Sequence, residues 1–530
     1  MRNFHLPGRS RVYANHGMAA TSHPLATLTA LDVLRAGGNA MDAAVAACAV
    51  QCVVEPQSTG IGGDCFVLYS RGGSDDIVAF NGSGRAPSGA TIEYFAKQGI
   101  GAIDSLSPHA VTIPGAVDAW SRLIADHGTK DLGELLRPAI AYARDGYPVH
   151  DRVWTDWHYA QATIRNDTST ESVFMPDGRL PVPGMLHRQP NLAATLERIA
   201  REGRDGFYKG PVAEDIVEHL TRRGGTHTMV DFSAACGEYV KPIRVTYRGL
   251  DIYECPPNGQ GIIALLLLNI VAGLGFKDRD PLSIERLHAM IEATRLAYAD
   301  RDAFLADPAQ AEVPVAKLLS PTRAESSRAR IRGDGRIEPL APLPLPAHAD
   351  TVYLCVVDKN RNAASFINSL FSSFGTGLMA PRSGVVLHNR GSAFVVKPGH
   401  PNCIAPDKRP MHTIIPGMAV RDSRVVMPFG VMGGHYQAMG HAWFLTNFLD
   451  YGLDLQQAID LPRLFPTPAG PLEVETGVPP EAVAALKRLG HTPATPDRAI
   501  GGGQAIWIDW QTGVLTGASD PRKDGVALGY

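Results

Sequence analysis

Thr351 stands where the proline-rich stretch "PLAPLPLPAHAD" meets the strand-like "TVYLCVVD". A threonine hydroxyl is a weak nucleophile, and no Ser/His/Asp pattern lies near it in sequence to take its proton. Cutting the Asp350–Thr351 bond would supply the missing base. The new α-amino group, with an ordinary pKa of about 7.7 to 8.0, would sit beside its own hydroxyl. An exposed connector over about 333–350, with Pro339, Pro342, Pro344 and Pro346 and no periodicity, would leave the bond free to bend. The competing reading of Thr351 is an ordinary buried strand residue.

Two glycine clusters are the other candidates. In "MGGHYQAMG" the consecutive amides of Gly433 and Gly434, just before a helix, would point at an oxyanion unobstructed by side chains, and a simple tight turn would use the same residues. "GIGGD", from Gly60 to Asp64, lacks the Lys and Ser/Thr of a phosphate loop and the six-residue dinucleotide spacing, so close backbone packing is its default reading. Among eighteen histidines, His400, His412, His435 and His441 stand in neither HExxH nor paired Cys/His spacing, and no metal or organic cofactor is expected. Seven cysteines without a CxxC read as reduced, mostly buried thiols.

The elements that must hold these residues are legible in the hydrophobic pattern. Apolar residues recur at helical spacing from Leu25 to Leu34, "AGGN" interrupts, and a second helix is predicted from Asp42 to about Val54. Short β-like runs follow in "CFVLYS" and "DIVAF", then a mainly helical region over about 106–235 and a hairpin in "KPIRVTYRGLDIYECPP". "LSIERLHAMIEATRLAYADRDAFLADP" predicts a long amphipathic helix with Leu287, Met290, Ile291 and Leu296 on its apolar face and Pro308 ending it. Past Thr351, "TVYLCVVD" and "AASFINSLF" form a hairpin around "KNRN", "GVVLHN" reads as another strand, and the chain closes on a hairpin about 511–513.

With 530 residues, 45% of them hydrophobic, the chain has material for a large core, and a formal charge of −3 gives no electrostatic reason to bind nucleic acid or an anionic membrane. The runs "MDAAVAACAVQCVVEP" and "IIALLLLNIVAGLGF" are too short to span a bilayer, and "MRNFHLPGRSRVYANHGMAATSHP" has no apolar export core, so a cytoplasmic protein acting on a small molecule is expected.

These residues fall together in the pattern of one family. From "ATSHPLATLTALDVLRAGGNAMDAAVAA" through "VEPQSTGIGGDCF", "SPHAVTIPGAVDAW", "GQGIIALLLLNI" and "KRPMHTIIPGM" to "GASDPRKDGVALGY", the chain resembles the gamma-glutamyltransferases and related acylases of the N-terminal nucleophile hydrolase superfamily. The resemblance implies an α+β fold, a four-layer αββα sandwich. It would be assembled from both products of a self-cleaved precursor, a large fragment 1–350 and a small fragment 351–530 that is its heterodimer partner, with a higher oligomer also open. It further implies that Asp350–Thr351 is the cleavage site, that Thr351 is both self-cleaving and catalytic, that Ser369 stands in for a threonine hydrogen-bonded to the nucleophile, and that Gly433 and Gly434 are the oxyanion pair.

The departures from that pattern concern the substrate. Ser83 stands where glutamyl-transferring members have an Arg for the α-carboxylate, although Arg85 is two residues away. Ala393 replaces the acid that holds the α-amino group, Phe371 replaces an Asn, and His412 and Thr413 replace two serines. Arg390 adds a cation where an amide is usual. An ammonium group would lie unpaired in such a pocket. The resemblance therefore implies an amidohydrolase or acylase acting on a small amide with an anionic or carbonyl-rich acyl group, oxamate being one such molecule, with Arg85, Arg390, His412 and Thr413 around it. Arg85 and Arg390 as internal salt-bridge residues, a γ-glutamyltransferase or glutathione hydrolase, and a binding protein that never matures are the alternatives.

Overall fold

The computed structural model describes residues 8–275, 280–338, 350–467 and 470–530, with the Asp350 side chain excluded. Most of the predicted connector, 339–349, lies outside the described residues.

Two seven-stranded antiparallel sheets form the centre. One contains Asp350–Val357, Ala363–Phe371, Asp64–Ser70 and Ile77–Gly82 side by side. The other contains Gly502–Ile508, Arg424–Met432, Gly417–Arg421 and Leu250–Glu254. Alternation sorts the side chains by layer. Phe66, Leu68, Tyr353 and Ile367 from the first sheet meet Tyr253, Met418 and Ile506 from the second in one buried cluster. The opposite face of the first sheet packs on helices Pro24–Arg35, Ala40–Val54 and Ala116–His127, and that of the second on Gly261–Val271, Ile284–Phe304 and Gln437–Leu449. The order is helices, sheet, sheet, helices: the αββα sandwich.

Residues on both sides of position 350 share each sheet, so neither segment would have a complete core without the other. Glu292 and Arg295 also fix the approach to the connector. Glu292 accepts from the Ile337 amide at 2.7 Å, and Arg295 donates to the Ile337 carbonyl at 3.0 Å.

Several elements differ in detail from the sequence expectation. The second helix starts at Ala40 because Asn39 caps it and Asp42, at the third helical position, returns a bond to the Asn39 amide. Ile284–Phe304 is buried around most of its circumference, polar Arg286, Glu292 and Arg301 included, because helices Gly261–Val271 and Pro480–Arg488 also pack on it. "GVVLHN" is strand only at Val385–Val386. The hairpin spanning 502–519 is followed by Ala527–Gly529, which crosses to the first sheet and pairs with Met18–Ala20. Among the described residues no helix is long and apolar enough to cross a membrane. The seven cysteines are free, five of them buried, with Cys236 exposed.

Candidate active site

The strand containing Thr351 starts one residue earlier than the sequence suggests, at Asp350, and runs unbroken through the Asp350–Thr351 bond. Asp350 pairs with Phe371 and Val352 with Asn368, so Thr351 faces two residues, Ser369 and Leu370. This β-bulge arises where Leu370 bonds elsewhere: its amide donates to Ser58 O and its carbonyl accepts from the Asn389 amide. Bulges re-aim side chains. Here Thr351 Oγ1 lies 3.0 Å from Ser369 Oγ, and both residues are 1% exposed.

Ser369 is held from two sides. Its Oγ accepts the Phe371 amide at 2.8 Å, and its carbonyl lies against Gly63, where a Cβ would come within 2.3 Å of the oxygen. The glycines of "GIGGD" thus serve close backbone packing. Its aspartate contributes more than the sequence reading recognised. Asp64 pairs with Ser369 across the sheet, accepts the Gly84 and Gly115 amides on Oδ1, and takes His412 Nε2 on Oδ2 at 3.0 Å. Burial raises the pKa of this carboxyl, but His388, His412 and Arg390 together hold it below the ordinary carboxylate value. His412 Nδ1 accepts from the Ile414 amide, which places the proton on Nε2. Burial, with Arg390 nearby, pushes the imidazole down to about 3, so His412 is neutral and donates to Asp64.

Phe371 is the hinge of the arrangement. It adopts φ +77°, a left-handed backbone that a bulky residue rarely takes, where the strand turns away. Its ring lies 3.8 Å beneath the Arg390 guanidinium and edge-on to His435 at 5.8 Å. Arg390 is 1% exposed and donates from Nη1 to Thr413 Oγ1 at 3.0 Å, while its Nη2 is buried without a hydrogen-bond partner among the described residues. Burial lowers its pKa to about 9, opposed by Asp64. The guanidinium is therefore a cation at neutral pH with its Nη2 amino group to offer.

Gly433 (φ +120°) and Gly434 (φ +55°) form the turn between strand Arg424–Met432 and helix Gln437–Leu449. Gly433 has no room for a side chain, since a Cβ would come within 2.9 Å of Gly501 Cα. Gln260 ties this turn to Thr413 by donating from Nε2 to both the Gly434 and Thr413 carbonyls, each at 2.9 Å. Thr351, Ser369, Arg390, Thr413 and Gly434 thus belong to one connected network, joined through Phe371 and Gln260. His412 is adjacent to Thr413 and faces Asp64. Arg85 is engaged elsewhere: it bonds to Asp407 O at 2.9 Å and lies 3.5 Å from Asp307.

Asp64, His388, Gln260 and Arg301 were not anticipated. Asp64 carried a faint signal, an acid directly after a glycine cluster, whereas the others reach the site only through the fold. His288, Glu292 and His491 lie close enough to share a cation. However, His288 Nε2 faces Arg332 O, its Nδ1 meets His491 Nε2 at 2.8 Å, and both Glu292 oxygens take Arg295 at 2.9 Å, so this group is satisfied internally.

Comparison with known proteins identifies the family. The family profile described as Gamma-glutamyltranspeptidase matches residues 26–530. The "Glutathione hydrolase-like YwrD proenzyme" of Bacillus subtilis is 36% identical over 97% of this chain and 98% of its own length. The "Oxamate amidohydrolase proenzyme" of Klebsiella pneumoniae is 35% identical, over 98% and 99%. The crystal structure of cephalosporin acylase from Bacillus halodurans superposes with a TM-score of 0.91 at 37% identity, covering 100% of this chain and 99% of that one. On this combined evidence of sequence and fold, the chain belongs to the gamma-glutamyltranspeptidase family, a hydrolase of the N-terminal nucleophile type.

Proposed function

We propose that this protein is a self-processed amidohydrolase whose threonine nucleophile acts on a small amide with an anionic acyl group. The observation that supports the substrate class best is Arg390, a buried cation stacked on Phe371 with its Nη2 amino group unmatched. An unmatched buried donor is unfavourable in the empty site and favourable once a carboxylate reaches it. The name of one relative, an oxamate amidohydrolase, accords with an acyl group lacking a γ-glutamyl ammonium, whereas that of the glutathione hydrolase-like relative fits the glutathione hydrolase alternative.

Processing begins with Thr351 Oγ1 attacking the Asp350 carbonyl carbon. The C–N bond breaks as the acyl group moves from nitrogen to oxygen, and water hydrolyses the resulting ester. That releases the Asp350 carboxylate and the Thr351 α-amine. The mature cycle repeats this chemistry on substrate. The amine takes the hydroxyl proton as Oγ1 attacks the amide carbonyl, and the Gly433 and Gly434 amides hold the tetrahedral oxyanion. The proton passes to the leaving amine, and water then resolves the acyl-threonine ester. Ser369 orients Thr351 throughout.

The test compares purified, processed enzyme on small amides with and without an acyl carboxylate and on γ-glutamyl anilides, each with and without a dipeptide acceptor. Faster turnover of the carboxylate-bearing amides, without acceptor stimulation, is expected. Efficient γ-glutamyl turnover with strong acceptor stimulation would put the transferase reading in its place.

A further inference from the structure

We infer that Gln260 is a positioning residue that fixes the oxyanion turn relative to the acid receptor, and so sets which acyl groups fit between them. This rests on the proposed amidohydrolase reading. The Gln260 side chain is fully buried at the start of helix Gly261–Val271. Its backbone amide donates to His412 O at 2.8 Å, and Gly259 forms a bridge with His412, so it is docked on the segment that bears Thr413.

The orientation of its carboxamide follows from its neighbours. Arg301 Nη1 approaches Oε1 at 3.4 Å, and a guanidinium can only donate. Arg301 is itself fixed by Asp302 at 2.8 Å, by His435 Nδ1 at 3.1 Å and by stacking on Tyr298. Oε1 therefore faces Arg301 and Nε2 faces the two carbonyls. One N–H goes to Gly434, which supplies an oxyanion amide, and the other to Thr413, whose hydroxyl receives Arg390. A single rigid group thus spans the two parts of the site that must grip opposite ends of one acyl group. Separate supports would let the two move independently, whereas a shared amide holds their spacing.

Gln260→Glu keeps the shape and the acceptor for Arg301 but presents oxygen to both carbonyls. Gln260→Asn keeps both donors on a side chain one methylene shorter and serves where the Glu variant fails to fold. Each is checked for processing on a denaturing gel and for folding by thermal melt. Steady-state kinetics are then measured on two amides with the same leaving group, one acyl group bearing a carboxylate and one not. The expected result is at least a tenfold fall in kcat on both amides and at least a fivefold fall in the ratio of their kcat/KM values. A folded, processed variant that retains either the wild-type kcat or the wild-type ratio overturns the inference, since loss of active protein alone lowers both rates equally. Absence of amide turnover by wild type would overturn the underlying functional reading, and this inference with it.

Discussion

Replacing Arg390 by Ala removes the only cation on the Phe371 ring among the described residues, together with its unmatched Nη2 donors. A hydrogen bond between charged partners contributes about 1.5 to 3 kcal/mol, which corresponds to roughly 13- to 160-fold in kcat/KM. That loss should fall on amides whose acyl group carries a carboxylate, and a neutral amide of equal length should change by no more than about twofold. Arg390→Lys should recover little, because an ammonium on a flexible stem reproduces neither the stacking nor the fork. The pH dependence gives an independent check. Burial lowers the guanidinium's pKa no further than about 9, so Arg390 stays a cation through the neutral range and the ratio of anionic to neutral amide turnover should be flat from about pH 6 to 8. Both should share the rising limb near about pH 8, where the Thr351 amine becomes a free base. The assay is initial-rate kinetics on matched amides from about pH 6 to 10.5, with circular dichroism as the folding control. Equal losses on both amides in a folded Arg390→Ala protein would refute the assignment of Arg390 to the acyl carboxylate.

Gly434→Val places a β-branched residue at φ +55° and should turn the oxyanion amide away. A fall of about 100- to 1000-fold in kcat is expected of protein that still folds and processes, and unchanged turnover would remove this pair from the mechanism. Asp64→Asn should lower the melting temperature at pH 7, since hydrogen bonds to a charged group contribute about 1.5 to 3 kcal/mol each. The folded pKa of Asp64 is depressed, so its contribution is present above the ordinary carboxylate value and is lost as pH falls through the folded one. The gap between variant and wild type should therefore narrow in acid, and a gap that widens would contradict the charge assignment.

Much of the site was legible because its parts are local. The Thr351 strand, the hairpin returning to Ser369 and the glycine turn before a helix all follow from short-range pattern. What escaped the sequence is what long-range pairing creates. The bulge that turns Thr351 toward Ser369 depends on Leu370 bonding to Ser58 and Asn389, from distant segments. Asp64 becomes part of the network only because its strand pairs beside Ser369, and Gln260 only because its helix starts against His412. Arg85 and Arg390 looked alike as residue types, yet one is engaged by Asp307 and Asp407 and the other is held on Phe371 with a donor unmatched. Nothing in the local sequence separates them. The long helix Ile284–Phe304 shows the same limit, since its polar residues are buried by partners that a helical period cannot reveal.

The central claim is that Thr351 becomes a free N-terminal nucleophile, and intact mass with N-terminal sequencing of the purified protein tests it most directly. Wild type should resolve into two fragments on standing, the smaller beginning Thr-Val-Tyr-Leu, and should carry the acyl mass of a slowly hydrolysed amide on that fragment; Thr351→Ala should remain one unmodified chain. A small fragment with a different first residue, or an acyl adduct that persists in Thr351→Ala, would contradict the account.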